Sequence, residues 1–251
     1  MKVLRVLHTG YGLLVFTILF LVFFPFLLIP IFSPKMFSLT GILNRWWAKL
    51  LFFFVGIPCH QEYRSPHAPG KQFVFCPNHF SYLDIPTLAL NRHNTIFVGK
   101  SEMENIPLFG FMYRKLHITV NRSSLRSRSN TLIRSLRAID EGKSLVIFPE
   151  GGIITEREPK MARFKDGAFR VAIEKQIPIV PVTIPYNWII LPPNEFVLRW
   201  HRLQIIFHEP ISTEGLSLND VDELKKKVYS VIDSELKLHL DQENENRPRT
   251  A

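Results

Sequence analysis

The sequence predicts an α/β protein whose mainly parallel central sheet is flanked by helices and preceded by an N-terminal membrane-associated helical segment. Two observations predict this class: a long uncharged run near the N-terminus, and short apolar stretches that alternate with helical patterns from Gln72 onward. At 251 residues the chain is long enough to build one such core without a disulfide or a metal. We predict membrane-anchoring helices over residues 1–57, the α/β domain over 58–240, and a disordered polar tail over 241–251.

The N-terminal run, residues 11–32, holds 22 residues without a charge. A bilayer core of about 30 Å is crossed by about 20 apolar residues, so this run is just long enough to span one. Pro25 and Pro30 each remove a backbone donor and are expected to kink a straight span. A cleaved signal peptide is disfavoured, because the run is too long and no small-residue cleavage site follows it.

A second apolar segment, residues 42–57, carries Trp46, Trp47 and a run of phenylalanines, with Arg45 and Lys49 one helical turn apart. Tryptophan and basic residues at this spacing favour the headgroup interface of a membrane. Two arrangements stay open: one helix that spans the bilayer, or two helices that dip into a single leaflet. The interfacial residues favour the second arrangement.

The formal net charge of +9 is compatible with either nucleic acid or a membrane as partner. The phenylalanines concentrate near the N-terminus instead of alternating with Lys and Arg, so we expect membrane lipid and no nucleic acid. Lys2 and Arg5 predict a cytoplasmic N-terminus if the chain spans the bilayer, and we expect the protein at the cytoplasmic face of the inner membrane. Cys59 and Cys76, without a CxxC or Cys/His cluster, indicate a reducing compartment and no metal site.

Short apolar stretches predict the elements of the α/β domain. Buried strands are predicted over residues 73–76, 95–99, 118–120, 144–148 and 179–184, with an edge strand over 199–207. Apolar residues at helical spacing predict helices over 127–141, 166–175 and 219–240. Strands that alternate with helices imply parallel pairing with helices on both faces of the sheet.

The most distinctive local pattern is Asn78-His79-Phe80-Ser81-Tyr82-Leu83-Asp84, directly after a predicted strand. A histidine near an aspartate is typical of a base whose ring is oriented by a carboxylate. In a continuous helix the two side chains would diverge by about 140°. Pro86 suits the first turn of a helix that starts near Asp84, which leaves His79 in the preceding turn, within reach. From spacing alone, a capping aspartate beside an ordinary loop histidine is equally open.

Asn78-His79-x-x-x-x-Asp84 resembles the NHx4D motif of the glycerolipid acyltransferase family, which makes phosphatidic acid from lysophosphatidic acid. Three further blocks follow in the family's order over roughly residues 73–185: Lys100-Ser-Glu102 with Pro107-x-x-Gly110, Phe148-Pro149-Glu150-Gly151, and Val180-Pro181-Val182. The resemblance implies that His79 is the general base and Asp84 its orienting partner. It also implies a set of substrate-binding residues: Asn78, Lys100, Arg122, Glu150 and Gly151.

A phosphate-binding residue is expected among seven basic residues that lie between positions 105 and 139, where no acid occurs. We expect four of them to form a solvated face: Arg126, Arg128, Arg134 and Arg137. Arg122 differs because it follows a predicted strand, and α/β sheets bind ligands at the carboxyl ends of their strands. Its guanidinium matches a phosphate dianion. The stretch that ends at Arg122, LHITVNR, resembles the family's G-x-I-F-I-D-R motif but lacks its glycine and aspartate.

Glu150 would repel a nearby phosphate, so we expect it to bind acceptor hydroxyls or to order a basic side chain. Gly151 and Gly152 would let the backbone approach the ligand, with a plain turn as the alternative. The arginine that usually follows this block in the family is absent, and the candidate replacements are Arg157, Arg163 and Lys165. Cys76 as a nucleophile is disfavoured, because it lies within an apolar strand pattern.

The resemblance therefore implies transfer of a fatty-acyl chain from acyl-CoA or acyl-carrier protein to the free hydroxyl of 1-acylglycerol-3-phosphate, giving phosphatidic acid, with no cofactor and no metal. Three alternatives stay open: transfer to another lysolipid, such as a lyso-aminolipid or lysophospholipid; hydrolysis, if water replaces the acceptor; and a non-catalytic membrane-binding role. The last is disfavoured, because chance would not place His79, Asp84 and Glu150 beside predicted strand ends.

Overall fold

The computed structural model describes residues 2–68, 70–154 and 158–245. Its strands are β1 Cys59–Tyr63, β2 Val74–Pro77, β3 Thr95–Lys100, β4 Ile118–Val120, β5 Ser144–Ile147, β6 Ile179–Thr183 and β7 Leu203–Phe207. Its helices are α1 Lys2–Phe32, α2 Ser38–Val55, α3 Asp84–Leu88, α4 Phe109–Leu116, α5 Leu125–Asp140, α6 Gly167–Glu174, α7 Asn187–Ile190 and α8 Val221–Glu245. Short 3-10 helices cover Pro34–Met36, Ser101–Asn105 and Leu218–Asp220.

The strands form one sheet in the order β1-β7-β6-β2-β5-β3-β4, and all neighbours pair in parallel except β6 and β7. The predicted α/β class and mainly parallel sheet are confirmed. The prediction of an edge strand at residues 199–207 is wrong in one respect, because β7 lies between β1 and β6. The edge belongs to β1, which is half-exposed and polar and therefore shows no apolar run in the sequence.

The centre of the sheet is apolar on both faces, and each face carries a cluster of buried apolar side chains. Every residue of β2 and β6 is buried, which explains why these strands read as continuous apolar stretches. Helices α5, α6 and α8 pack on one face, where Phe169, Val228 and Ile232 are fully buried. At roughly 1.5–3 kcal/mol per buried large apolar side chain, this core holds the strand ends in fixed positions.

Five adjacent parallel strands place their carboxyl ends along one edge of the sheet. The loops that leave β2, β3, β4, β5 and β6 therefore converge there. Each of the residues predicted to carry chemistry lies in or next to one of the first four of these loops. This edge is where ligands bind in sheets of this kind.

Helices α1 and α2 pack against each other, and α1 also contacts α4. Helix α1 is long and apolar enough to cross a membrane by length and composition. It continues through Pro25 and Pro30, so neither proline ends it. Its buried residues run from Thr9 to Pro30, and two contacts within this stretch reach the α/β domain: Gly12 lies against Leu198, and Leu27 packs with Met112.

Helix α8 begins after a capping box in which Ser217 and Asp220 bond each other's backbone N–H groups. It was predicted to end at residue 240 but reaches Glu245. The rest of the predicted tail, residues 246–251, lies outside the described residues.

Candidate active site

Asn78 fixes the loop that leaves β2. Its side-chain nitrogen donates to Ile184 O at 3.0 Å and its oxygen accepts from Ile184 N at 2.8 Å, so the ends of β2 and β6 are clamped together. The residue is fully buried. Both polar groups of Asn78 are therefore engaged with the backbone, and the predicted contact with substrate is not available to them in this geometry.

His79 and Asp84 form the pair that the spacing predicts. Helix α3 begins at Asp84, and His79 Nδ1 lies 2.9 Å from Asp84 Oδ2. The same oxygen accepts from the backbone N–H groups of Phe80 at 2.9 Å and Ser81 at 3.0 Å, and Oδ1 accepts from Asn187 Nδ2 at 2.9 Å. Four donors hold this buried carboxylate in place.

The His79 ring has a defined tautomer and a free nitrogen. Because a carboxylate only accepts hydrogen bonds, the tautomer of the neutral ring that fits this contact carries its proton on Nδ1 and presents the Nε2 lone pair on the opposite side. Phe148 stacks on the ring, with centroids 3.9 Å apart and planes 25° apart. Within the described part of the chain Nε2 has no hydrogen-bond partner, and the residue lines a cavity. The arrangement is that of an oriented general base.

Glu150 accepts a hydrogen bond from the backbone of His79. Its Oε1 accepts from the His79 backbone N–H at 2.7 Å, and its Oε2 accepts from the Ala162 backbone N–H at 2.7 Å. Burial raises the pKa of this carboxyl to about 7, although the two backbone donors act in the opposite direction. The residue has no exposed surface. Binding of an acceptor hydroxyl does not fit this position, nor does the ordering of a basic side chain, because both oxygens are occupied by backbone groups.

The two glycines after Glu150 make room for basic side chains. Gly151 has φ +79°, and a Cβ atom there would lie 2.7 Å from Lys165 Nζ. A Cβ atom on Gly152 would lie 2.9 Å from Arg122 Nη1. Lys165 is thus placed over the loop where the family's arginine is missing, whereas Arg157 lies outside the described residues.

Arg122 follows β4, as predicted, and lines the same cavity as His79. Its guanidinium lies against Gly152, which brings the β4 and β5 loops together. Burial lowers the pKa of Arg122, partly offset by Tyr113 and Glu102, but an arginine remains charged at any relevant pH. Partial desolvation strengthens the attraction of this charge for an anion.

Lys100, the last residue of β3, stands at the rim of the cavity. Its Nζ is 3.1 Å from Glu102 Oε1, and both side chains are more than half exposed. The four arginines of α5, which are Arg126, Arg128, Arg134 and Arg137, are exposed, which agrees with the predicted solvated face. Cys76 is fully buried in β2, and burial raises the pKa of its thiol, so it is not an activated nucleophile.

A cavity of about 620 Å³ opens beside His79. Its polar lining residues include His79, Lys100, Tyr113 and Arg122. Most of the lining is apolar, and α1 and α2 supply much of it through Phe16, Phe20, Phe23, Trp47 and Leu51. The helices predicted only as an anchor are therefore also a wall of the site. Among the described residues no group of three His, Cys, Asp or Glu side chains is placed to hold a metal ion.

Two parts of the site were not predicted. One is the contribution of α1 and α2 to the cavity, and the other is Asn187, which bonds Asp84 from 103 positions further along the chain. The sequence signal for Asn187 is only its place shortly after the Val180-Pro181-Val182 block.

The profile of the family described as Acyltransferase matches residues 56–185, just over half of the chain. The chain belongs to this acyltransferase family. The matched stretch contains His79, Asp84, Lys100, Arg122 and Glu150, whereas Asn187 lies two residues beyond it and the cavity residues of α1 and α2 precede it.

Two relatives in the acyltransferase family carry the same functional name. The chain is 28% identical over 77% of its length to 1-acyl-sn-glycerol-3-phosphate acyltransferase LPAT1 of Arabidopsis thaliana, covering 54% of that protein. It is 27% identical over 82% of its length to the 1-acyl-sn-glycerol-3-phosphate acyltransferase of Haemophilus influenzae, covering 85% of it. The chain spans about half the length of its relatives from Arabidopsis thaliana, Brassica napus and Chlamydomonas reinhardtii.

The fold also matches a solved structure. The crystal structure of the 1-acyl-sn-glycerophosphate (LPA) acyltransferase PlsC from Thermotoga maritima superposes over 100% of both chains, with a TM-score of 0.76 and 22% sequence identity. At this identity the match establishes the acyltransferase fold, including an N-terminal helical region ahead of the sheet.

Proposed function

We propose that this protein transfers a fatty-acyl chain from acyl-CoA or acyl-carrier protein to the free hydroxyl of 1-acylglycerol-3-phosphate, giving phosphatidic acid. One observation carries the proposal: His79, oriented by Asp84, faces an apolar cavity that Arg122 also lines. The reaction needs a base, a volume for an acyl chain and a cation for a phosphate. These three requirements meet around a single cavity.

His79 acts on the acceptor as general base. Its Nε2 takes the proton from the acceptor hydroxyl as the oxygen attacks the thioester carbonyl carbon, and Asp84 stabilises the imidazolium that forms. When the tetrahedral intermediate collapses, the carbon–sulfur bond breaks and His79 returns the proton to the departing thiolate. The hydroxyl oxygen ends up esterified, and no covalent acyl-enzyme is formed.

Arg122 binds the phosphate of the acceptor. A guanidinium can donate two parallel hydrogen bonds to phosphate oxygens, and Arg122 is half-buried in the wall of the cavity. Lys100 and Lys165 add positive charge near the same loops. The names of the relatives, which specify an acyl-sn-glycerol-3-phosphate acceptor, support the same assignment.

The acyl chain occupies the apolar part of the cavity. Phenylalanines from α1 face this space, and apolar walls with few polar groups suit a hydrocarbon chain. Since α1 contacts the α/β domain from Gly12 to Leu27, the helix lies along the domain instead of projecting away from it. This geometry favours two helices within one leaflet. The proposal also places the protein at the cytoplasmic face of the inner membrane, on the basis of Lys2 and Arg5, with lipid and not nucleic acid as the partner, on the basis of the apolar N-terminal segment.

The test is an acceptor panel. Purified protein in mixed micelles receives a labelled acyl thioester with lysophosphatidic acid, with lysophosphatidylcholine, with a lyso-aminolipid, or with no acceptor. We expect ester product chiefly from lysophosphatidic acid, and a selective loss of it in Arg122→Ala but not in Arg126→Ala, which removes an equal but exposed charge. If another lysolipid gave more ester product, that lysolipid would be the acceptor instead of lysophosphatidic acid. Release of free thiol without any acceptor would favour a hydrolase.

A further inference from the structure

Asn187 lies behind the His79–Asp84 pair. It is the first residue of α7, just after β6, and it has no exposed surface. Its Nδ2 donates to Asp84 Oδ1 at 2.9 Å and to Thr87 Oγ1 at 2.9 Å. Because Asn187 is enclosed, it does not touch a substrate in the cavity, and any effect on catalysis passes through Asp84.

The orientation of the Asn187 amide is determined by its partners. A carboxylate accepts hydrogen bonds and never donates them, so the amide nitrogen faces Asp84. The amide oxygen is then buried and has no partner in the described part of the chain. An unpaired buried acceptor lowers stability. An apolar side chain of similar size would avoid this loss, so packing alone does not account for an asparagine here.

The two oxygens of the Asp84 carboxylate accept different numbers of hydrogen bonds. Oδ2 receives His79 Nδ1 and two backbone N–H groups, whereas within the described residues Oδ1 receives only Asn187. The contact with Asn187 is therefore the one that holds the second oxygen of the carboxylate. If it is lost, the carboxylate can rotate more freely about its last side-chain bond although Oδ2 keeps its donors, and the direction of the His79 ring toward the cavity is less closely fixed.

We propose that Asn187 is a positioning residue for the transfer reaction, acting on His79 through the orientation of Asp84. This inference rests on the proposed function. A positioning role differs from a role in folding in one testable way. If Asn187 acts through Asp84, substitution of Asn187 should no longer lower turnover once Asp84 has lost its charge.

The first experiment compares Asn187→Ala and Asn187→Leu with Thr87→Val. Leucine keeps the volume of the side chain, so it remains informative if alanine destabilises the fold. Thr87→Val removes the other partner of the same amide and leaves the contact with Asp84. For both Asn187 variants we expect kcat to fall about 10-fold with KM for donor and acceptor unchanged, and for Thr87→Val a kcat within about 2-fold of wild type.

The second experiment repeats Asn187→Leu in an Asp84→Asn background. We expect less than about 2-fold further loss of kcat, because the orientation of residue 84 affects turnover through the charge that Asp84→Asn has already removed. Three outcomes would each overturn the inference. The losses of kcat from Asp84→Asn and Asn187→Leu could multiply in the double variant, Thr87→Val could lose as much kcat as Asn187→Leu, or Asn187→Leu could leave kcat unchanged. These outcomes require a wild-type protein that transfers acyl groups. A wild type that makes no ester product would instead remove the proposed function.

Discussion

Asp84→Asn is the most informative single substitution at this site, because it removes a charge and nearly keeps a shape. The amide oxygen can take the place of Oδ2 and retain the donors from His79, Phe80 and Ser81. The new NH₂ group would face Asn187, whose own amide can turn so that its unpaired oxygen becomes the partner. We therefore expect the variant to fold.

The alanine variant is a poor substitute. Asp84→Ala would leave four buried donors without an acceptor, at about 1–3 kcal/mol each, in a protein whose total stability is of the order of 5–15 kcal/mol. In Asp84→Asn the hydrogen bonds remain and only their charge is lost. A charge-assisted bond contributes about 1.5–3 kcal/mol, so we expect kcat to fall about 10–100-fold.

The assay is steady-state transfer from a labelled acyl thioester to lysophosphatidic acid in mixed micelles, with kcat and KM determined for each substrate. We expect KM to stay near its wild-type value, because Asp84 is buried and does not line the cavity. The thermal unfolding midpoint is the control for folding. Turnover within about threefold of wild type in a folded Asp84→Asn protein would refute an electrostatic role for Asp84.

Four further predictions follow from the same site. His79→Ala should lower turnover about 10²–10⁴-fold, more than Asp84→Asn, with the fold intact by circular dichroism; near-normal turnover would remove the base. Arg122→Ala should lower kcat/KM for lysophosphatidic acid about 10–100-fold and Arg122→Lys less, with donor kinetics unchanged; equal losses with an acceptor that lacks a phosphate monoester would make Arg122 structural. A protein that begins at Gln61 should lose most vesicle sedimentation at high salt and, since α1 and α2 wall the cavity, its activity too; sedimentation that persists would place the anchor elsewhere. Glu150 binds its proton more tightly in the folded state, so it should lower stability as pH rises from about 4.5 to about 7, by up to about 3 kcal/mol; Glu150→Gln should remove this part of the pH dependence of the unfolding midpoint, and an identical dependence in both proteins would contradict the assignment.

The sequence predicts the centre of the fold well because burial on both faces of the sheet requires continuous apolar strands. β3, β4, β5 and β6 lie within one residue of their predicted bounds at each end. β1 was not predicted, because an edge strand exposes one side and Cys59–Tyr63 carries polar residues there. The position of β7 depends on β1, so the error in one strand produced the error in the other.

In the candidate site, too, the sequence predicts the local contacts but not the long-range ones. His79 and Asp84 are close in sequence, so turn geometry alone brings them within reach. The burial of Glu150 and of Asn78 depends on how the ends of β2, β5 and β6 meet, and residue types alone do not reveal it. Asn187 reaches Asp84 only through the order of strands in the sheet. Long-range contacts of this kind leave no periodic pattern in the sequence.

The most direct test of the central assignment is the stoichiometry of a single turnover. Wild-type protein and His79→Ala are each mixed with a labelled acyl thioester and lysophosphatidic acid, and free thiol and labelled phosphatidic acid are measured in the same sample. We predict one phosphatidic acid for each thiol released by the wild-type protein, and neither product above background with His79→Ala. Thiol released without a matching amount of phosphatidic acid, or transfer that persists in folded His79→Ala, would contradict the account.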